Sequence, residues 1–159
     1  MSIIIWTVLS LLIIAFDQVT KYYVLSLGIH PGTTFSVLIN NVLEFKYIRN
    51  RGMAWGTFQG GRWIFVAVTI IFIILIVGYI FKKRIKDNLF LCAASFMIGG
   101  GIGNLIDRIS TGDVIDFIYF KLINFPIFNI ADSFVVIGVI LMIIYLLINK
   151  DADENARKS

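Results

Sequence analysis

The fold class predicted for this chain is an all-α membrane protein of four transmembrane helices, with a small extracytoplasmic β-sheet and an interfacial loop/helix segment. Three observations predict it. Of 159 residues, 58% are hydrophobic and only 15% charged, whereas an ordinary domain carries roughly 25% charged residues. Four apolar windows, each near the ~20 residues a helix needs to cross a bilayer, divide the chain. Between the first two lies a segment in which Leu43, Phe45 and Tyr47 alternate with Glu44, Lys46 and Ile48, the period-two pattern of a half-buried strand.

The windows run over residues 3–27, 63–81, 89–106 and 126–148. The first lacks a basic n-region and an A-x-A-like exit, so it is expected to be retained as a helix rather than cleaved. Gly52, Trp55, Gly56 and Phe58 follow the strand pattern. They supply turn freedom and aromatic anchors for a segment resting on the membrane interface, with a further role or as an anchor alone. No Pro/Ser/Gly-rich linker and no solenoid-length repeat interrupts the chain, so residues 1–159 are expected to form one domain, with 149–159 as a charged, solvated tail.

Four crossings place both termini on one side. They place residues 28–62 and 107–125 together on the other. Lys82, Lys83, Arg84 and Lys86 crowd a very short loop between the second and third spans, where the positive-inside effect acts most strongly. Both termini are therefore expected in the cytoplasm.

The net charge of +4 has few exposed segments to carry it. The basic residues accordingly read as membrane-surface anchors and site residues, and no nucleic-acid partner is expected. The lone Cys92 excludes an internal disulfide and lies in an apolar run, where it packs. His30 is also alone, beside Pro31. Without a second histidine or clustered thiolates, neither a metal nor a cofactor is expected.

Carboxylates at membrane depth must be paired, hydrated or functional. Asp17 and Lys21 are spaced i,i+4 on the first helix and can neutralise each other. By parity, Asn50, Asn104, Asp107 and Arg108 lie at the same depth, as do Asp116 and Asp132. Asp132 is expected about six residues into the fourth span, roughly 9 Å along it, and Asp116 in a loop that folds back. The run Gly99, Gly100, Gly101 and Gly103 lets helix backbones approach, or offers backbone to a ligand. Ser95 and Ser133 have no histidine in reach and no G-x-S-x-G elbow, which argues against a serine hydrolase. If Asp116 and Asp132 approach closely, they can share one proton as an aspartic protease does. The residues leave open that one of them instead caps a helix or pairs with Arg108.

Five stretches carry a resemblance. They are Asp17-Gln18-Val19-Thr20-Lys21; Asn50-Arg51-Gly52-Met53-Ala54-Trp55-Gly56; Gly100-Gly101-Ile102-Gly103-Asn104-Leu105-Ile106-Asp107-Arg108; Gly112-Asp113-Val114-Ile115-Asp116-Phe117; and Phe128-Asn129-Ile130-Ala131-Asp132-Ser133. In this order, on four spans, they make the chain resemble the bacterial lipoprotein signal peptidases, or signal peptidase II. The resemblance implies a membrane-embedded aspartic endopeptidase that cleaves diacylglyceryl-modified prolipoproteins on the N-terminal side of the lipidated cysteine. It implies Asp116 and Asp132 as the catalytic dyad, leaving Asp113 as an exposed loop residue. Asp17, Lys21, Asn50, Gly100, Asn104, Arg108, Asn129 and Ala131 match positions that support the dyad or bind substrate. It also implies a bacterial cytoplasmic membrane location, with a site facing the extracytoplasmic side and prolipoprotein and membrane lipid as partners. A monomer is expected. The rival from another class is a small proton- or ion-coupled transporter relaying protons through Asp17, Asp116 and Asp132. A non-catalytic lipid-binding subunit is the third reading.

Overall fold

Lipid offers the backbone no hydrogen-bond partner, so a spanning segment must close its own bonds as a helix. Proline would interrupt that, and both prolines of the chain, Pro31 and Pro126, fall outside the helices. The computed structural model describes residues 3–52 and 61–158, with side chains through Asn149. Its helices are α1 (Ile3–Ser26), α2 (Arg62–Lys83), α3 (Asn88–Ser110) and α4 (Ile130–Lys158). The first three and residues Ile130–Asn149 of α4 are long and apolar enough to cross a membrane. Trp55, Gly56 and Phe58, and with them the expected interfacial segment, lie outside the described residues.

The third helix is the hub, packing against α1, α2 and α4. Its inward faces are built from small residues, including Ala93, Ala94, Ser95, Gly99, Gly100 and Gly103. Apolar burial does not drive helices together in lipid, so close backbone approach must do so. A Cβ on Gly100 would collide with the Ala131 carbonyl of α4, and one on Gly103 would lie 2.6 Å from Asp17 Oδ2 of α1. Of the two roles expected for the glycine run, helix packing is the one these two serve. Leu11, Leu12 and Phe16 of α1, Trp63 and Leu75 of α2, and Leu146 of α4 point outward, exposed, toward lipid.

Three antiparallel strands cover one end of the bundle in the order β1 (Thr34–Ile39), β2 (Leu43–Asn50), β3 (Val114–Phe120). The hairpin joining β1 to β2 turns through Asn41 in the left-handed region, at φ 58°. Because β3 comes from the segment between α3 and α4, the sheet joins the two connecting segments that parity placed on one side. Val24 of α1 packs beneath it with Tyr47, Ile115 and Phe117, and Ile130 of α4 adjoins them. The alternation read in β2 is interrupted by a register shift between Phe45 and Ile48. Glu44 is buried there, its charge met by Lys121 Nζ at 2.6 Å.

Two boundaries differ from expectation for physical reasons. Asp116 is on strand β3 and not in a loop: the first four residues of β3 are all buried, so no two-residue alternation marked it. The fourth helix begins at Ile130 and not at residue 126. Phe128 pairs with Ile118 as an isolated bridge, its N–H donating to Ile118 O at 3.0 Å while Ile118 N–H donates back at 2.8 Å. Hydropathy alone could not separate Pro126–Phe128 from the helix. Asp132 is consequently in the first turn of α4, rather than six residues along a span. The helix α4 continues through the charged tail to Lys158.

Gly100→Ala is expected to lower the detergent-solubilised thermal midpoint, because overpacking against a backbone carbonyl costs about 1–3 kcal/mol. Gly78→Ala is the matched control: a Cβ there meets nothing within 4 Å, and it should leave the midpoint unchanged or raise it. Equal midpoints for the two variants would contradict close packing at Gly100.

Candidate active site

The return of the chain after β3 builds the site. Asn124 takes a left-handed conformation, φ 49°, and residues 126–129 then run back beside β3. That brings Asn129 alongside Asp116: Asn129 Nδ2 donates to Asp116 Oδ1 at 2.7 Å and to Ile115 O at 3.3 Å. From the other side Asn50, on β2, donates through Nδ2 to Asp116 Oδ2 at 2.8 Å. Asp116 is only 1% exposed. Burial, and then the neighbouring charge of Asp132, push its carboxyl up to about 7, although the Asn50 and Asn129 amides and the Lys21 charge oppose the shift.

Asp132 is placed by a reciprocal cap. Asn129 is the residue before α4, and its Oδ1 accepts from Asp132 N–H at 2.9 Å, while Asp132 Oδ2 accepts from Asn129 N–H at 3.2 Å. This is the capping-box geometry, which satisfies orphan N–H groups at a helix start. The other oxygen, Oδ1, accepts from Asn104 Nδ2 of α3 at 2.7 Å. One of the readings the residues left open is therefore present: Asp132 does cap a helix. The cap fixes its position beside Asp116 instead of removing it from the site.

Below the two carboxyl groups lies a buried ion cluster. Lys21 Nζ is 2.8 Å from Asp17 Oδ2, 2.8 Å from Asp107 Oδ2, and donates to Asn104 Oδ1 at 3.0 Å. Its three protons thus have three acceptors. Asp17 Oδ1 accepts from Ala131 N–H at 2.9 Å, placing a carboxylate from α1 at the positive end of α4. Gln18 Nε2 reaches Asp17 Oδ2, Gly103 O and Asp107 Oδ1 at 3.1–3.2 Å. Asp107 Oδ2 also accepts from Ile115 N–H at 3.2 Å, linking the cluster to β3. Asp107, which parity placed at this depth without a site role, and Gln18, quoted only within a motif, both carry this structure. The available signal for Asp107 was its i,i+3 spacing from Asn104, which puts both on one face of α3.

Arg108 stands apart. It makes no ion pair among the described residues, its guanidinium lies 5.1 Å from the centre of the Phe65 ring, and it lines the cleft that contains both Asp116 and Asp132. The pairing of an aspartate with Arg108 is thus replaced by a cation facing the same space. The cleft has a volume of about 670 Å³; Phe125, Ile127, Val136 and Ile137 give it an apolar side. Asp113 corrects another expectation. It is not an exposed loop residue but is 8% exposed, paired with Arg51 at 3.2 Å and Arg49 at 3.9 Å. Neither Cys92 nor His30 approaches the cleft, and no cluster of metal-binding side chains occurs among the described residues.

The four carboxyl groups of this layer, Asp17, Asp107, Asp116 and Asp132, face two cations, Lys21 and Arg108. Full ionisation would leave the layer two charges negative, a costly state away from bulk water. A proton held between Asp116 and Asp132 would relieve part of it.

Lys21→Ala is expected to cost about 3–5 kcal/mol of stability, because it leaves Asp17 and Asp107 buried without their cation. Arg108→Ala should leave the thermal midpoint close to wild type. Midpoints lowered equally in both variants would contradict this division.

A family model described as signal peptidase (SPase) II matches residues 9–148. The fold is also similar to two solved structures described as bacterial membrane enzymes determined by the in meso method, at 2.3 and 1.9 Å resolution. The first superposes with a TM-score of 0.83 at 39% identity, covering 91% of this chain and 88% of that one. The second gives 0.79 at 40% identity, covering 89% and 92%. With the five stretches, the four spans and the paired aspartates already in place, the match leaves one assignment: the chain belongs to the signal peptidase II family, bacterial membrane aspartic peptidases that cleave the signal peptides of lipoproteins.

Proposed function

We propose that Asp116 and Asp132 are the catalytic dyad and that they cleave diacylglyceryl-modified prolipoproteins on the N-terminal side of the lipidated cysteine. The observation that carries this reading is the Asn129 bridge. One residue donates from its side chain to Asp116 and from its backbone to Asp132, so both carboxyl groups are held at the mouth of one cleft. All four carboxylate oxygens have a protein donor, and every donor is a neutral amide. Neutral donors orient the acids without pinning either one as a permanent anion.

In this mechanism the pair holds one proton, which rests on Asp116. Water lies between the carboxyl groups; Asp132 takes a proton from it as its oxygen attacks the scissile carbonyl carbon. Asp116 gives its proton to the developing oxyanion. When the gem-diol intermediate collapses, the carbon–nitrogen bond breaks, the proton gained by Asp132 passes to the leaving amine of the lipidated cysteine, and one gem-diol hydroxyl returns its proton to Asp116 as the carbonyl re-forms. Arg108, unpaired among the described residues and facing the cleft, contacts the substrate backbone. The apolar side formed by Phe125, Val136 and Ile137 receives acyl chain. Asp17, Lys21, Asn104 and Ala131 hold the dyad in place, and Gly100 lets α4 approach closely enough for them to do so.

The basic loop between α2 and α3 supports cytoplasmic termini, with the sheet and the cleft on the extracytoplasmic side, where the substrate's own lipid would anchor it in the outer leaflet. A monomer is the working unit in this reading.

Asp116→Asn and Asp132→Asn should each reduce cleavage of a purified lipidated prolipoprotein by roughly a hundred- to ten-thousand-fold, with the protein still folded in detergent. Arg108→Ala should reduce cleavage while its folding is retained. Substantial cleavage by either asparagine variant would rule out the dyad, and would leave a binding or transport role for the site.

A further inference from the structure

A second feature lies at the opposite end of the bundle, away from the sheet. Helices α1 and α2 both pack on α3 but make little contact with each other. The gap between them is an apolar groove. Two adjoining cavities of about 250 and 560 Å³ share Ile3, Ile80, Phe81 and Leu91 and so form one channel. Along α1 its wall runs from Ile3 to Ile14, about 16 Å at ~1.5 Å per residue. That is close to the depth of hydrocarbon in one leaflet, half of about 30 Å.

Charge says what occupies it. Arg84 and Lys86 line the outer cavity, and neither they nor Lys82 and Lys83 at the end of α2 make an ion pair among the described residues. Asp87, the acid beside them, has a carboxylate oxygen that accepts from Phe90 N–H at 2.9 Å to cap α3. Trp6 adds apolar wall to the inner cavity. An apolar chain alone would leave the cations unmatched. A small anion alone would not fill the groove.

We propose that this groove binds one anionic glycerophospholipid. An acyl chain lies between α1 and α2 against Trp6, and the phosphate sits at Arg84 and Lys86. The site is separate from the peptidase cleft, and its occupancy ties α2 to α1 at the end where they do not pack.

Native mass spectrometry of the full chain in neutral detergent tests this, with phosphatidylglycerol, phosphatidylcholine and soluble glycerol phosphate added in separate arms. One phosphatidylglycerol should be retained per chain in preference to phosphatidylcholine, and glycerol phosphate should not compete with it. Arg84→Gln with Lys86→Gln should weaken retention roughly 30-fold, since each basic residue near the surface contributes about a factor of five. Lys82→Gln with Lys83→Gln, which removes the same charge outside the groove, should weaken it much less. Equal retention of the two lipids, competition by glycerol phosphate, or equal losses in the two double variants would each overturn the proposal.

Discussion

The Lys21 ammonium is the interaction on which the rest of the structure depends. It is 2% exposed and gives its protons to Asp17, Asp107 and Asn104. Through those three acceptors it reaches every part of the site. Asp17 receives the Ala131 N–H and so caps α4; Asp107 receives the Ile115 N–H and so holds β3; Asn104 donates to Asp132. A lysine at this depth is tolerable only because all its donors are matched, and the carboxylates are tolerable only because of it. The cluster has no place in a membrane helix bundle except as the foundation of something that needs fixed charge.

Above that foundation, Asn129 combines a local and a global task. As the N-cap of α4 it would be needed wherever the helix began. Its position beside β3, set by the Ile118–Phe128 bridge, lets the same amide hold Asp116. Asp132, three residues on, answers it in the cap and is the second acid of the proposed dyad. Helix capping and the placement of that proposed dyad are thus one arrangement, so a change that disturbs the start of α4 is expected to disturb the chemistry as well. The polar groups stay at one end of the bundle. That distribution suits hydrolysis at a membrane surface better than a proton path across the bilayer, which would need acids along its length.

Much of this was legible in the residues. The four helices followed from apolar runs, and the even number of crossings put Asp116 and Asp132 on one side, where β2 and β3 do pair. The five motifs supplied the family and selected Asp116 over Asp113. What was not legible traces to residues whose surroundings lie far off in sequence. Val114 to Phe117 are all buried, so β3 showed no alternation. Pro126–Phe128 are apolar because they pack beside β3, and hydropathy counted them with the helix. Asp113 looked exposed because its partners, Arg49 and Arg51, come from around the end of β2. The importance of Asp107 and Gln18 depends on α1 meeting α3, which small residues permit but do not announce.

Asp116 and Asp132 are proposed to work as a pair sharing one proton, and the decisive measurement is the pH dependence of kcat/KM for a lipidated prolipoprotein. Asp116 is pushed up to about 7. As pH rises through that value the pair loses its remaining proton, no acid is left for the oxyanion, and the rate should fall. At low pH both carboxyl groups are protonated, no base is left for water, and the rate should fall again. The expected profile is a bell whose alkaline limb lies near pH 7, its two apparent values belonging to the pair. A rate that stays level or climbs from pH 7 to pH 9 would contradict it.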